Sequence, residues 1–313
     1  MLKNEKIFIT GGAGFLGRSI VKRYYDDNQI TIYSRDEAKH YYLKKEFPNV
    51  KCVIGDVRNF DLLNKSVKGH TVGIFAASLK QISAVDENPE EGLEVIVNGA
   101  FNSRRAAVEN NLKAATFIST DKSRCATTLY GAMKYVAGEV FVLNAEKELC
   151  RLTSVIYGNV LDSTGSIIPL MWDSLKKDYS LTLFSEEMTR FMINIDQAVD
   201  TVEYALSKTG FNIIPNIKSF KIKDLFEIFE EKFGLKWDTG VPRISEKIHE
   251  QMISPYEKDR VVYDKTKDMY LLHYRDVSTE QVLPASGLTS EDCVVSKDDL
   301  YKMLEGYNFF KPE

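Results

Sequence analysis

A doubly wound parallel α/β sheet, joined to a smaller discontinuous α/β domain, is the architecture implied by this 313-residue chain. Three observations lead there. The apolar run Lys6-Ile-Phe-Ile-Thr10 passes directly into the glycine-rich Gly11-Gly-Ala-Gly-Phe-Leu-Gly17, and then into apolar residues at helical spacing. Strand-like and helix-like stretches alternate through the first half of the chain. After Tyr157 that rhythm loosens into segments of different spacing.

Lys6–Thr10 reads as a short buried strand. Glycines 11, 14 and 17 give a tight turn, a backbone approach to pyrophosphate and close helix–strand packing. The helix that starts near Phe15 carries Leu16, Ile20 and Val21 on one side and turns its positive end toward the phosphates. This is a Rossmann-type dinucleotide unit, with Gly11, Gly12, Ala13, Gly14, Phe15, Leu16 and Gly17 as expected cofactor contacts. Gln29–Tyr33 is the second strand, and Ser34, Arg35 and Asp36 follow it. NAD-binding units place an acidic residue there for the ribose 2′-hydroxyl. A hydroxyl and a guanidinium instead suit a 2′-phosphate, so NADP is the expected cofactor, with Arg18 and Lys39 nearby. Asp36 is the complication, because a one-residue slip returns an acid to the ribose.

Val50–Ile54 leads into Asp56-Val57, and Thr71–Ala77 ends on Ala76-Ala77. Both pairs are expected to flank adenine and ribose. A helix over 91–110 precedes the strand Ala114–Ser119, and Leu149–Tyr157 is a further strand. Beyond it, helices are expected at Ile167–Lys176, at Ile195–Ser207 opened by Asn194 or Asp196, and at Lys223–Phe233 closed by Gly234. From about Lys265 the chain turns polar with clustered Tyr and Asp. The expected division is residues 1–158 with 191–217 for the dinucleotide, and 159–190 with 218–313 for substrate.

Composition fits an ordinary globular enzyme, 44% hydrophobic and 27% charged. A net charge of −4 argues against nucleic acid as the main partner. The apolar runs are too short for a transmembrane helix, and the first strand follows the amino terminus too closely for a signal peptide. Cys52, Cys125, Cys150 and Cys293 are scattered without a CxxC pair, as suits reduced thiols, so a cytoplasmic protein is expected. His249-Glu250 lacks the second histidine of a zinc protease motif, and no metal site is expected.

The chemistry concentrates at Tyr130-Gly-Ala-Met-Lys134, preceded by Ser119-Thr-Asp-Lys122 at the end of a strand. A Tyr and a Lys four apart share one helix face. There the ammonium can lower the phenol pKa and fit it for hydride-transfer chemistry. Open α/β sheets put their chemistry at the carboxyl ends of strands, which is where Thr120-Asp121-Lys122 falls.

With these residues in view, the chain resembles an extended short-chain dehydrogenase/reductase. Within that superfamily it is similar to the polysaccharide-biosynthesis UDP-N-acetylglucosamine 4,6-dehydratases of the inverting, C5-epimerising type. The resemblance runs to about residue 255. It rests on Thr10-Gly-Gly-Ala-Gly, Tyr33-Ser-Arg-Asp-Glu37, Ala76-Ala-Ser-Leu-Lys80-Gln and the two blocks just described. Tyr157-Gly-Asn-Val160, Gly165-Ser-Ile-Ile-Pro169, Met188-Thr-Arg-Phe191, Asp196-Gln-Ala-Val199 and Glu246-Lys-Ile-His-Glu250 follow in order. Three departures stand out. Arg124-Cys-Ala-Thr-Thr128 replaces a segment with Asn-Pro, Ile156 stands where an Arg is common, and Arg243-Ile-Ser-Glu246 lacks a Pro-Gly turn.

The resemblance implies oxidation at sugar C4, loss of the C5 proton, expulsion of the C6 hydroxyl and return of hydride to C6. Tyr130 with Lys134 would take the C4 hydroxyl proton. Lys134 would hold the nicotinamide ribose, Lys122 would be the C5 base, Asp121 would protonate the leaving hydroxyl and Thr120 would orient the C4 oxygen. As a base, Lys122 would have to be made partly neutral by burial and a nearby cation. Lys80, Asn159, Thr189, Arg243 and Glu246 would hold the UDP-sugar, expected to be UDP-N-acetylglucosamine. A homo-oligomer, by resemblance a hexamer, is expected, and the helix over 132–144 offers Val136, Val140 and Leu143 for pairing. A UDP-sugar 4-epimerase, another UDP-hexose 4,6-dehydratase, a reductase and a non-catalytic dinucleotide-binding regulator remain open alternatives.

Overall fold

The computed structural model describes residues 2–242, 244–275 and 282–311. The first half alternates as expected. Strand β1 (Lys6–Thr10) leads into helix α1 (Phe15–Tyr24), β2 (Gln29–Ser34) into α2 (Glu37–Glu46), and β3 (Lys51–Ile54) into α3 (Phe60–Val67). After β4 (Val72–Phe75) come the short helices α4 (Ile82–Glu87) and α5 (Pro89–Gly92), a π-helical stretch at Leu93–Asn98, and α6 (Gly99–Glu109). The stretch read as one helix over 91–110 therefore carries a local change of winding. Strands β5 (Ala114–Ile118) and β6 (Arg151–Val155) flank the long helix α7 (Leu129–Val142).

The second half is more broken. It runs through β7 (Asn159–Val160), α8 (Ile167–Lys177), β8 (Leu181–Leu183), β9 (Thr189–Ile193), α9 (Ile195–Ala205) and β10 (Phe211–Pro215). Then come β11 (Ser219–Lys221), α10 (Ile222–Phe233), β12 (Trp237–Thr239) and β13 (Gln251–Ile253). The chain closes with β14 (Val261–Asp264), β15 (Met269–His273), β16 (Leu288–Thr289) and α11 (Lys297–Gly306). Asn194 opens α9 with a full capping box, its side chain accepting from Gln197 N while Gln197 caps back. Gly234 ends α10 in the left-handed region, φ +73°.

Among the described residues the large sheet has nine strands in the order β14-β15-β10-β6-β5-β4-β1-β2-β3. Strands β1 to β6 and β10 pair in parallel, with the 3-2-1-4-5-6 order of a Rossmann sheet at its heart. Strands β14 and β15 add an antiparallel edge on β10. Residues 261–273, expected in the substrate domain, thus extend the dinucleotide-binding sheet. Their alternation of Tyr with Val and Leu is the half-buried pattern of an edge hairpin. Smaller sheets, β11-β9-β7, β12-β8 and β13-β16, build the second layer.

Both faces of the large sheet are covered. Ile7, Ile9, Ile32 and Ile74 pack on one face with Ile20 and Val21 of α1 and Val199 and Val202 of α9. Phe8, Tyr33, Phe75 and Phe117 pack on the other with Leu63, Ala106, Ala137 and Phe141. A separate core joins α8, α10 and α11 through Met171, Leu225, Phe229, Leu300 and Leu304. Burying a side chain of this size is worth about 1.5–3 kcal/mol. The two sheet faces therefore fix where the strand ends, and the loops on them, must lie.

Candidate active site

The loops at the carboxyl edge of the large sheet collect the expected residues. After β1, Gly11 takes φ +68°, and a Cβ there would lie 3.0 Å from Ala77 N and 3.1 Å from the Ala76 carbonyl. A Cβ on Gly17 would lie 2.5 Å from Gly12 Cα. Glycines at these two positions let the turn fold against Ala76-Ala77 and let α1 begin directly over it. The first turn of α1 holds no acidic side chain, and no side chain caps its amino end. Its free N–H groups therefore suit a pyrophosphate, and the donor set fits a dinucleotide.

Among the described residues no surplus positive charge gathers where a 2′-phosphate was expected, and the NADP assignment is corrected. Arg35 Nη1 lies 3.5 Å from Glu91 and 3.7 Å from Asp56, and Arg58 bonds the same two carboxylates at 2.6 Å. The cluster is balanced, without surplus positive charge for a phosphate dianion. Arg18 is drawn off to Glu46, and Lys39 pairs with Asp36 at 3.0 Å. Ser34 Oγ meets His40 Nε2 at 2.6 Å, and Asp36 caps α2. Asp56 is turned toward Arg58, while the buried Val57 packs in the core.

Thr120, Asp121, Lys122, Tyr130 and Lys134 converge beside this cradle. Thr120 opens a single 3₁₀ turn, Asp121–Ser123, and its hydroxyl donates to Asp121 Oδ1 at 2.9 Å. Thr128 caps α7 by accepting from Gly131 N at 3.1 Å, which puts Tyr130 in the first helical turn and Lys134 one turn later. A Cβ on Gly131 would stand 2.3 Å from the Lys122 carbonyl oxygen. Glycine at 131 is thus what lets α7 begin against the Thr-Asp-Lys turn.

Lys122 Nζ is shared among Asp121 Oδ1 at 3.3 Å, Glu250 Oε1 at 3.3 Å and Asn159 Oδ1 at 3.5 Å. Burial would push its ammonium down, but Asp121 and Glu250 outweigh burial and hold it above lysine's ordinary value. The expectation of a partly neutral Lys122 is corrected: two carboxylates outweigh both burial and the one cation acting on it, Arg190. Asp121 is fully buried, and burial, aided by Glu250, raises its carboxyl despite Lys122. Its Oδ2 has no hydrogen-bond partner.

Tyr130 is pushed up to about 12 by burial, with Lys122 as the cation opposing that rise. Lys134 does not play that part. Its Nζ donates to the Ile118 carbonyl at 2.6 Å, approaches Ser78 Oγ at 3.5 Å and lies over the Phe117 ring. Burial alone lowers it to about 7.

The expected sugar contacts divide. Asn159 faces Lys122, and Lys80 donates to the Thr164 carbonyl across the cleft. Thr189 is buried, its hydroxyl engaged by His249 Nδ1 at 2.8 Å and Ser290 Oγ at 2.6 Å, so it holds the second layer together instead. Glu246 pairs with Arg190 at 3.2 Å. Arg243 lies outside the described residues. Sequence reasoning passed over Glu250 and Arg190 as site residues, although both stand inside the blocks that carry the resemblance.

The family model described as polysaccharide biosynthesis protein matches residues 7–273. The chain belongs to this family. It is 34% identical to the inverting UDP-N-acetylglucosamine 4,6-dehydratase of Campylobacter jejuni, over 81% of this chain and 79% of that one. It is 31% identical to a UDP-glucose 4-epimerase of Rickettsia massiliae, over 86% of this chain and 83% of the other. The solved structure of Pen from Bacillus thuringiensis superposes with a TM-score of 0.89 at 25% identity, covering 98% and 99% of the two chains. The dTDP-glucose 4,6-dehydratase of Streptomyces venezuelae shares the fold at 17% identity and a TM-score of 0.69, over 78% of this chain and 86% of that one. Its structure carries NAD, as do other solved structures of this fold, and this finding overturns the NADP expectation. This member of the polysaccharide biosynthesis family is an extended short-chain dehydrogenase/reductase related to UDP-sugar 4,6-dehydratases and 4-epimerases. Among the described residues, no helix is long and apolar enough to cross a membrane.

Proposed function

We propose that the protein is a UDP-hexose 4,6-dehydratase working with bound NAD, and that UDP-N-acetylglucosamine is the sugar to try first. The supporting observation is the buried Asp121 carboxyl, raised by burial, set beside Lys122 and against the first turn of the helix that carries Tyr130. A simple dehydrogenase has no use for a second acid–base pair next to its tyrosine. When bound, NAD accepts hydride from sugar C4 and returns it at C6, so no net redox change results. Tyr130 takes the C4 hydroxyl proton, and Thr120 orients that oxygen. Lys122 would take the C5 proton once it has shed its own, and Asp121, whose carboxyl burial biases toward the protonated form, would protonate the departing C6 hydroxyl. Lys134, kept by the Ile118 carbonyl, holds the nicotinamide ribose. Lys80, Asn159 and Glu246 contact the nucleotide-sugar.

One observation favours a second reading, C4 epimerisation. Lys122 is held as an ammonium, and an epimerase needs no base at C5. Incubation with UDP-N-acetylglucosamine and with UDP-glucose in deuterated water, followed by NMR, separates the two. Deuterium at C5 and a 4-keto-6-deoxy product support dehydration, whereas inversion at C4 without exchange at C5 refutes it.

The assembly belongs to the same proposal. Phe101 of α6, Val136 of α7, Leu143 at its end and Leu93 are exposed, and a cavity of about 360 Å³ lies between α6 and α7. These helices pair two copies of the chain within a homo-oligomer. A monomeric mass by light scattering at micromolar concentration refutes it.

A further inference from the structure

Beneath the middle of α7, three polar side chains rise from neighbouring strands of the large sheet. Ser154 on β6 and Asn212 on β10 are register partners, and Ser119 follows the end of β5. All three are almost wholly buried. Gly138 of α7 lies over them. A Cβ built there would stand 3.2 Å from Ser154 Oγ, 3.5 Å from Ser119 Oγ and 3.8 Å from Asn212 Oδ1. Among the described residues, and leaving aside its chain neighbours and the helix's own backbone, those oxygens are the three nearest atoms. Their hydrogen bonds do not close among protein groups. Asn212 Nδ2 donates to Glu139 Oε1 at 3.1 Å, and the same carboxylate oxygen accepts from Arg124 at 3.1 Å, which fixes how the amide is turned. Among the described residues, neither Asn212 Oδ1 nor Ser154 Oγ then finds a partner. Ser119 Oγ donates to the Lys134 carbonyl at 3.3 Å and can still accept.

We propose that this is a binding site for one ordered water molecule, built between Gly138 and the three oxygens. The donors and acceptors balance. Ser154 donates its hydroxyl hydrogen to the water, and the water donates one hydrogen to Asn212 Oδ1 and the other to Ser119 Oγ. Three protein partners is the usual number for a buried water, and native proteins pair nearly all buried polar atoms in this way or directly. A water suits the place better than a cation, because Glu139, the carboxylate bonded to Asn212, is already engaged by Arg124 and by the amide.

The site also accounts for a glycine inside a helix, where it is destabilising relative to alanine. Any side chain at 138 would push in among the oxygens that hold the water. Through Ser119 the water is joined to the carbonyl of Lys134, and through Asn212 and Glu139 to the buried Arg124. It therefore fastens the helix that carries Tyr130 and Lys134 to β6, β10 and the end of β5 at once. Neither dehydration nor epimerisation is needed for it to bind, so the site stands apart from the choice of reaction.

A crystal structure of the full chain with its ordered solvent resolved is the direct test. A water peak within about 3.2 Å of Ser154 Oγ, Asn212 Oδ1 and Ser119 Oγ is the expected result. No peak there, or Ser154 Oγ bonded straight to Asn212 Oδ1, overturns the proposal. Urea denaturation supplies an independent reading. Ser154→Ala should raise the unfolding equilibrium constant about fivefold, the effect of one lost hydrogen bond. An unchanged or lowered constant, as when an unpaired buried hydroxyl is removed, overturns it. Ser119→Ala and the double variant complete a cycle. The two hydroxyls do not bond each other, so a shared water is what would couple them. The double variant should depart from the product of the single changes by more than about twofold, and agreement within about twofold counts against the water. If the double variant does not fold, the crystal structure and Ser154→Ala decide.

Discussion

Gly131→Ala should separate stability from activity, because the added methyl meets the backbone carbonyl of Lys122. Its Cβ would lie 2.3 Å from the Lys122 carbonyl oxygen, where contacts under 3.0 Å are essentially never seen. Reaching 3.0 Å requires 0.7 Å of movement and reaching 3.4 Å requires 1.1 Å, by simple difference. Neither side yields cheaply, since one is the first turn of α7 and the other is the 3₁₀ turn capped by Thr120. Overpacking of this kind costs about 1–3 kcal/mol, while Gly to Ala in a helix returns about 1 kcal/mol. The net loss of stability is therefore about 2 kcal/mol at most. Activity should suffer more, because a shift of about 1 Å between Lys122 and Tyr130 is worth about 10²-fold in rate. Gly306→Ala is the control. Nothing lies within 4 Å of its added methyl, and the same helix preference should leave stability unchanged or raised. Urea denaturation and steady-state turnover on both variants supply the comparison. If Gly131→Ala retains turnover within about threefold of wild type, the close approach of α7 to the turn does not position the site.

Two further outcomes follow from buried charge. Arg124 is almost wholly buried and bonds Glu257 at 2.6 Å and Glu139 at 3.1 Å, so Arg124→Met should cost about 3–5 kcal/mol in urea denaturation; a loss under about 1 kcal/mol, as for a surface pair, refutes it. Lys134 is lowered from 10.5 to about 7 when folded, so between about pH 7 and 10 the unfolded chain binds a proton that the folded chain does not. Stability of the dinucleotide-free protein should therefore rise with pH across that window, and Lys134→Met should remove that part of the slope. Equal slopes in the two proteins, by urea midpoints at pH 7 and pH 9, contradict the burial argument.

The half of the molecule that binds the dinucleotide is legible in sequence because its signals are local. Lys6–Thr10 and the glycines after it specify a strand, a turn and a helix within one short segment, and each lies where expected. The Thr-Asp-Lys turn and the Tyr–Lys helix can likewise be placed at a strand end from adjacent sequence. What escapes depends on contacts between distant segments. The β14–β15 hairpin has only a half-buried alternation, and nothing in it says which sheet it joins. Ser34-Arg35 suits a 2′-phosphate in sequence, yet Asp56 and Glu91, from elsewhere in the chain, determine the charge that Arg35 has to offer. Tyr130 and Lys134 do share a helix, but burial gives Lys134 a carbonyl partner and leaves Lys122 as the cation acting on the phenol.

The departures from the family pattern gain a physical meaning from the same long-range contacts. Arg124, in the segment where the resemblance leads to an expectation of Asn-Pro, reaches Glu139 on α7 and Glu257 beyond β13. Glu257 also accepts from Ser254 N at 3.0 Å and from Arg260 at 3.3 Å, and Glu139 accepts from Asn212 at 3.1 Å. Lys247, three residues before Glu250, donates to the Arg124 carbonyl at 2.7 Å. One buried guanidinium therefore ties the helix bearing Tyr130 and Lys134 to the stretch bearing Glu250. A proline at this point would stiffen the turn by fixing φ, but would offer no charge to the second layer. With Arg124 in place, the spacing between Glu250 and Lys122 is held from both sides of the cleft. Loosening it should first be felt in the charge on Lys122, before it is felt in the packing of the sheet.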